Sequence, residues 1–348
     1  MTLVKTLAMR GLTLFGALIA VLVLAVVVLG ATGFSDNLLN AIVSEELRGL
    51  RQSLAQNFRD PVELENVISL RREELRVFYG LDTPWYFRLP AMVLRVLTLD
   101  LGEARTLRSF AGSNRVIDLV LERLPNTILL LTSATVITSI IGLYVGVKLA
   151  TQVGSKAERG SSYLSAFSYA LPAWWMGVLM IIVFAFQFRL LPSGGMFSAP
   201  PPEGPLARFL DVLWHAILPV TTLVIVSVGS WIFTVRTMVL NTSQEDFVTV
   251  ARAKGIPENK VMNRHIIRVA APPIVTFLIL GFAGSLGGAI LTETVFAWPG
   301  MGRLFYDAIL TGEESVIIAL TFMFTLIYVI ARFILEVLYV LLDPRVRY

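Results

Sequence analysis

Between Asn241 and Pro273 the chain carries residues whose spacing suits mechanical contact rather than bond-making. Thr242 stands three residues before Glu245, the pattern of a capping box, and predicts a helix running to about Lys254. Gly255 then suits a left-handed stop. Pro257, with Glu258 behind it, suits the first turn of a second helix that enters the membrane at Pro272-Pro273. On helical spacing Phe247, Val250, Ala251 and Gly255 form a small apolar ridge, with Arg252 and Lys254 beside it and Glu245 and Ala253 completing the segment. Such a ridge can lie in a groove on another protein. An amphipathic helix resting at a membrane interface has the same pattern.

Elsewhere ionisable residues are sparse in the apolar runs. Glu293 closes the fifth run, where it suits either a pore mouth or gate, or an interfacial place beside Trp298. Arg332 and Glu336 stand at i, i+4 inside the last run and read either as a structural ion pair or as a functional membrane charge. Thr132, Ser133, Thr135, Thr138 and Ser139 could line a polar path or act as helix-helix glue. His215, shortly before Pro219, fits a packing or helix-start position. Bond-making chemistry lacks its residues. With 0 Cys there is no disulfide, thiolate metal site or cysteine nucleophile, and with 2 His, His215 and His265, there is no histidine-rich metal site. No glycine-rich phosphate loop is present, so ATP would have to be bound and split on another chain. No catalytic or metal residue is assigned.

The elements that must position these residues are membrane spans. Hydrophobic residues make up 55% of the chain and charged ones 16%, against about a quarter charged in soluble domains. About 20 apolar residues cross a bilayer, and six runs qualify: Gly11–Ala31, Ile128–Val147, Ala166–Phe188, Leu218–Val239, Ile274–Glu293 and Val316–Leu341. The first resembles a signal peptide, but it is too long and lacks a small-residue cleavage site, so it reads as a retained span. With a cytoplasmic N-terminus, Lys5, Arg10, Lys148, Lys156, Arg159, Arg252, Lys254, Lys260, Arg264, Arg268, Arg345 and Arg347 fall inside. Only Arg189, Arg208 and Arg303 fall in short outer loops. Both termini are therefore expected inside. Residues 34–125 hold 12 Arg, 13 Asp or Glu and no Lys, and form a long outer segment exempt from that rule. It is predicted helical. Leu39, Ile42, Val43, Leu47, Leu50, Leu54 and Phe58 follow one helical face; a second helix is signalled by Asp60 as N-cap, Pro61 at its first position and Gly80 at its end. The expected class is all-α and polytopic: an N-terminal span over 1–33, an extracytoplasmic segment over 34–125, and a five-helix core over 126–348 with an inner loop at 241–273.

Glu-Asp-Phe-Val-Thr-Val-Ala-Arg-Ala-Lys-Gly-Ile (Glu245–Ile256), followed by Arg264-His265 and Pro272-Pro273, resembles the cytoplasmic coupling loop of ABC importer permeases. The resemblance is to the oligopeptide, dipeptide and nickel branch. It continues in Glu122–Thr127, Leu171–Gly177, Leu191–Gly195, His215–Pro219, Val295–Arg303 and Leu341–Tyr348. Two features depart from the pattern. Thr249, Val250 and Ala251 stand where the general signature has Glu-Ala-Ala, and a helical insertion replaces a Pro-Gly-Asp-Pro-like turn after the first span.

The resemblance implies a multi-pass subunit of the cell (inner or plasma) membrane, surrounded by lipid. It implies pairing with a second, homologous permease chain, two cytoplasmic ATPases that hold ATP and Mg, and an extracytoplasmic solute-binding protein. It implies no cofactor on this chain, no enzymatic activity of its own and no nucleic-acid partner. Glu245–Gly255 would couple the ATPases to the spans. An oligopeptide is the expected solute, with an oligosaccharide or nickel as alternatives. A different class, an ion-coupled secondary transporter, predicts intramembrane acids or broken helices in repeated halves. Here the acids gather at span ends and no halves match.

Overall fold

The computed structural model describes residues 3–54, 58, 61–286 and 289–342. Helices make up almost all of its regular structure; among the described residues the β-structure is one isolated antiparallel bridge, Glu103 to Arg115. The helices are α1 (Leu3–Ala31), α2 (Phe34–Leu54), α3 (Pro61–Phe78), α4 (Trp85–Leu97), α5 (Val116–Ala150), α6 (Lys156–Ala170) and α7 (Ala173–Gln187). They continue as α8 (Pro205–Ser243), α9 (Asp246–Ala253), α10 (Glu258–Gly284), α11 (Ile290–Val295), α12 (Met301–Thr311) and α13 (Glu314–Leu342). Five of them, α1, α5, α8, α10 and α13, are long and apolar enough to cross a membrane, and the pair α6–α7 makes a sixth span if it is counted as one.

That pair corrects one expectation. Ala166–Phe188 is not a single straight run: α6 and α7 meet at an angle of 96°. The cause is local. A proline pushes the residue before it out of the helical region, and Leu171 adopts φ −94°, ψ 121°, while Pro172 itself is extended at ψ 133°. The second span also starts earlier than the expected Ile128, at Val116, with Pro125 inside the helix. The turn that follows Pro125, Ile128–Thr132, has π geometry.

The chain divides into two compact units, one of Met1–Leu14, Val120–Tyr306 and Phe324–Tyr348, the other of Phe15–Leu119 and Asp307–Met323. In the second unit α2 and α3 pair through Val43, Leu47, Ile68 and Leu75, all buried. The predicted end of α3 is present: Gly80 sits at φ +67°, and the N–H groups of Gly80 and Leu81 close back on Val77 and Arg76. The proposed N-cap, Asp60, lies outside the described residues. Glu313 ties a loop in the same unit, its carboxylate accepting from the N–H groups of Arg105 at 2.9 Å, Thr106, and Leu107 at 3.2 Å, and from the Thr106 hydroxyl at 2.8 Å. Burial alone would raise its pKa, but these bonds outweigh burial and hold it below the ordinary carboxylate value.

In the first unit α5 and α8 pack without side chains between them at two positions. A Cβ on Gly142 would lie 2.8 Å from the Trp231 Cβ, and one on Gly146 would lie 2.9 Å from the Ile232 carbonyl oxygen. This small-residue spacing is how apolar helices gain contact in lipid, where water gives no drive to associate. α6 is laid on α8 by hydroxyls: Ser165 donates to the Gly229 carbonyl at 2.6 Å and Ser168 to that of Ile225 at 3.0 Å. Glu158 adds an ion pair with Arg236. These contacts fix α8, whose end carries the inner loop.

Candidate coupling site and buried turn

The inner loop does form a short helix, but its start differs from the expected capping box. α8 continues through Thr242, whose hydroxyl donates back to the Met238 carbonyl at 3.0 Å, so it is not free to cap anything. Glu245 takes the cap position in extended geometry (ψ 148°) without a side-chain cap bond, and Asp246 places its charge in the first turn, favourable to the helix dipole. The end is as expected. Gly255 has φ +73°, its N–H bonds to the Arg252 carbonyl at 2.9 Å, and the Ile256 N–H reaches the Ala251 carbonyl at 3.3 Å. Pro257 is the cap of α10 rather than its first residue.

Eight residues are too few to hold a helix in water, so α9 depends on its underside. Val248 and Ala251 are buried in a cluster with Ala150, Val235, Val239, Val261, Ile266, Ala270 and Ile274. Full burial of one valine contributes about 1.5–3 kcal/mol. Ala251 therefore belongs to the anchored side rather than to the ridge. The outward side carries Phe247 (38% exposed) and Val250 (52% exposed), with Glu245, Arg252, Ala253, Lys254 and Gly255 also exposed. Arg252 is held by Glu258 across the turn, Nε to Oε2 at 3.2 Å and Nη2 to Oε1 at 2.7 Å. Glu258 was absent from the expected site; its place six residues on, just beyond the Gly-Ile-Pro turn, was the available signal.

Glu293 and Trp298 lie elsewhere, in a second constellation. Both are fully buried. The Glu293 carboxylate accepts from the Thr127 hydroxyl at 3.0 Å and from the Arg303 N–H at 3.0 Å. The Trp298 indole N–H donates to the Asn126 carbonyl at 3.0 Å, the Asn126 amide to the Pro299 carbonyl at 2.8 Å, and the Met301 N–H to the Thr127 hydroxyl at 2.7 Å. Gly302 lets this turn close, since a Cβ there would come 3.0 Å from Glu293 Oε2. The Gly195 N–H bonds to the Phe296 carbonyl at 2.8 Å, and Ala216 packs in one cluster with Trp298. The short motifs at 122–127, 191–195, 215–219 and 295–303 thus converge on one buried turn. Neither Glu293 nor Trp298 faces an open path in this conformation.

The hydroxyl cluster of α5 divides. The Thr135 hydroxyl bonds back to the Leu131 carbonyl at 2.8 Å, while the buried hydroxyls of Thr138 and Ser139 have no protein partner among the described residues. Thr135 and Thr138 line a cavity of about 250 Å³ together with Leu131, Leu223, Ser227 and Trp231.

The described residues form an all-α, multi-helix membrane core with a short loop helix anchored against it. Residues 138–348 match the model of the binding-protein-dependent transport system inner membrane component family, and the chain belongs to that family, the permeases of ABC importers. It is 30% identical to the oligopeptide transport system permease protein AppB of Bacillus subtilis, over 80% of this chain and 85% of that one. It is 32% identical to the probable peptide ABC transporter permease protein y4tP of Sinorhizobium fredii, over 83% and 87% of the two. With the di/tripeptide transport system permease protein DppB of Pseudomonas aeruginosa it shares 30% identity over 77% and 83%.

Proposed function

We propose that this chain is one of two non-identical membrane subunits of a peptide importer, and that α9 is its contact with a cytoplasmic ATPase. The carrying observation is the two-sided α9: Val248 and Ala251 anchored in the core, Phe247 and Val250 exposed. An exposed apolar ridge of this kind suits a hydrophobic groove on another protein, with Lys254 at its edge and Arg252 already paired to Glu258. In this reading both termini and α9 lie on the cytoplasmic side, which the lysine and arginine excess of the short loops supports. The ATPases hold ATP and Mg; this chain holds neither and catalyses nothing. An extracytoplasmic binding protein delivers the solute, and closure of the ATPases drives α9, and through its buried underside α8 and α10, between outward and inward access. Peptide is the solute that the names of the relatives support.

Reconstitution in liposomes tests this. The chain alone should hydrolyse no ATP. Assembled with a second permease, the ATPases and the binding protein, it should hydrolyse ATP faster when the binding protein is peptide-loaded and should take up labelled peptide. Uptake by the chain alone on an ion gradient would sink the reading. Stimulation by a sugar or nickel but not by peptide would sink the assignment of solute.

A further inference from the structure

Two arginines converge on one carboxylate near the ends of the first and last long helices. Glu336 Oε1 lies 3.7 Å from Arg10 Nη1 and 3.6 Å from Arg332 Nη2. The helices meet closely here: a Cβ on Gly11 would sit 3.5 Å from the Phe333 ring. Both separations are ion-pair distances, longer than hydrogen bonds. One oxygen so placed leaves most of the five N–H donors of each guanidinium for other acceptors. Two positive groups and one negative leave a single positive charge in excess. The Glu336 side chain is 17% exposed, against 35% for Arg332 and 52% for Arg10, so the excess lies on the open side.

Depth points to the occupant. Arg332 follows Glu314, at the start of α13, by a rise of roughly 27 Å, close to the thickness of the hydrocarbon core. Arg10 immediately precedes the uncharged run Gly11–Ala31. Arg10 thus adjoins the end of its apolar run, and Arg332 lies in the corresponding end-half of the last one, where a long guanidinium side chain can reach the headgroup layer. Met9, Leu12, Ile330 and Ile334 around them are 54%, 72%, 49% and 48% exposed, surfaces suited to acyl chains. A cationic notch between helices with apolar flanks matches a phospholipid, charge to phosphate and chains to side chains. An acidic protein segment would find the charge, but not the use for the flanks.

The geometry points to Arg10 and Arg332 as a site for the phosphate of an anionic phospholipid, with the Glu336 carboxylate offsetting one of their two charges and competing with the phosphate for them. This site is independent of the solute; only its leaflet rests on the orientation proposed above. The purified full chain, in detergent with equal phosphatidylglycerol and phosphatidylcholine, tests it by native mass spectrometry. Phosphatidylglycerol should be retained preferentially. Arg10→Gln with Arg332→Gln should cut that retention roughly tenfold, and Glu336→Gln should raise it roughly fivefold. The rise is decisive if the double variant folds poorly, because a purely structural pair would gain nothing from losing its acid. Equal retention of the two lipids, or no response to Glu336→Gln, overturns the site. Displacement of the lipid by millimolar inorganic phosphate overturns it as a lipid site and assigns it to free anions.

Discussion

Gly255→Val should leave the chain inserted and folded yet reduce solute uptake by about tenfold in the assembled importer. Two observations separate these effects. Gly255 sits at φ +73°, so a β-branched residue there strains the turn by on the order of 1–2 kcal/mol. A Cβ at this position meets nothing within 4 Å, so no core packing is disturbed. The added bulk instead occupies the open side of α9, where a partner surface would lie, and a side chain obstructing the centre of an interface weakens it by about tenfold or more. The ATPases should detach or hydrolyse without uptake. Gly255→Ala carries the strain with less bulk and should be milder; Lys260→Ala, exposed on α10, milder still. Uptake at the wild-type rate by Gly255→Val, in a complex of normal composition, would remove the coupling role from this turn.

Glu293→Ala should do the opposite, damaging the fold before it touches transport. It strips the acceptor from the buried Thr127 hydroxyl and from the part-buried Arg303 N–H. Each orphaned donor costs about 1–3 kcal/mol, and the vacated volume adds to this, for a sum on the order of 3–5 kcal/mol. The solubilised variant should lose its monodisperse peak roughly 5–15 °C below wild type. Glu293→Gln should fall between, because its amide keeps one acceptor oxygen but turns a donor toward another donor. Glu203→Ala, on an exposed loop, is the control and should not move. A Glu293→Ala chain as stable as wild type would mean that the turn is not the point on which these segments are fastened.

What could be read from the sequence follows the physics that is local. Apolar run length and the glycine stops at Gly80 and Gly255 are properties of a few neighbouring residues; both glycines take positive φ, and long apolar helices cover the first, second, fourth and sixth expected runs, whereas the fifth ends at Gly284 and Glu293 falls in a separate short helix. The capping box failed because Thr242 had a competing acceptor one turn back, in a helix that outlasted its apolar stretch. The straight third span failed because an extended Leu171 before Pro172 is a backbone constraint that hydropathy does not register. Ala251 was assigned to the ridge because periodicity gives faces but not which of them the core claims. The turn around Glu293 was illegible for a different reason. Its partners, Asn126 and Thr127, stand more than 160 residues away in the chain, and only the packed fold brings them together.

Coupling requires that the open face of α9, Phe247 and Val250, touch an ATPase. The photoreactive residue p-benzoylphenylalanine, placed singly at Phe247, Val250 and, as an outer control, Gln52, measures that contact in cells expressing the whole importer. Ultraviolet light should yield an ATPase-sized adduct from 247 and 250, lost when Gly255→Val is added, and none from 52. An ATPase adduct from 52, or none from 247 and 250 in a complex that transports normally, would contradict both the orientation and the coupling role.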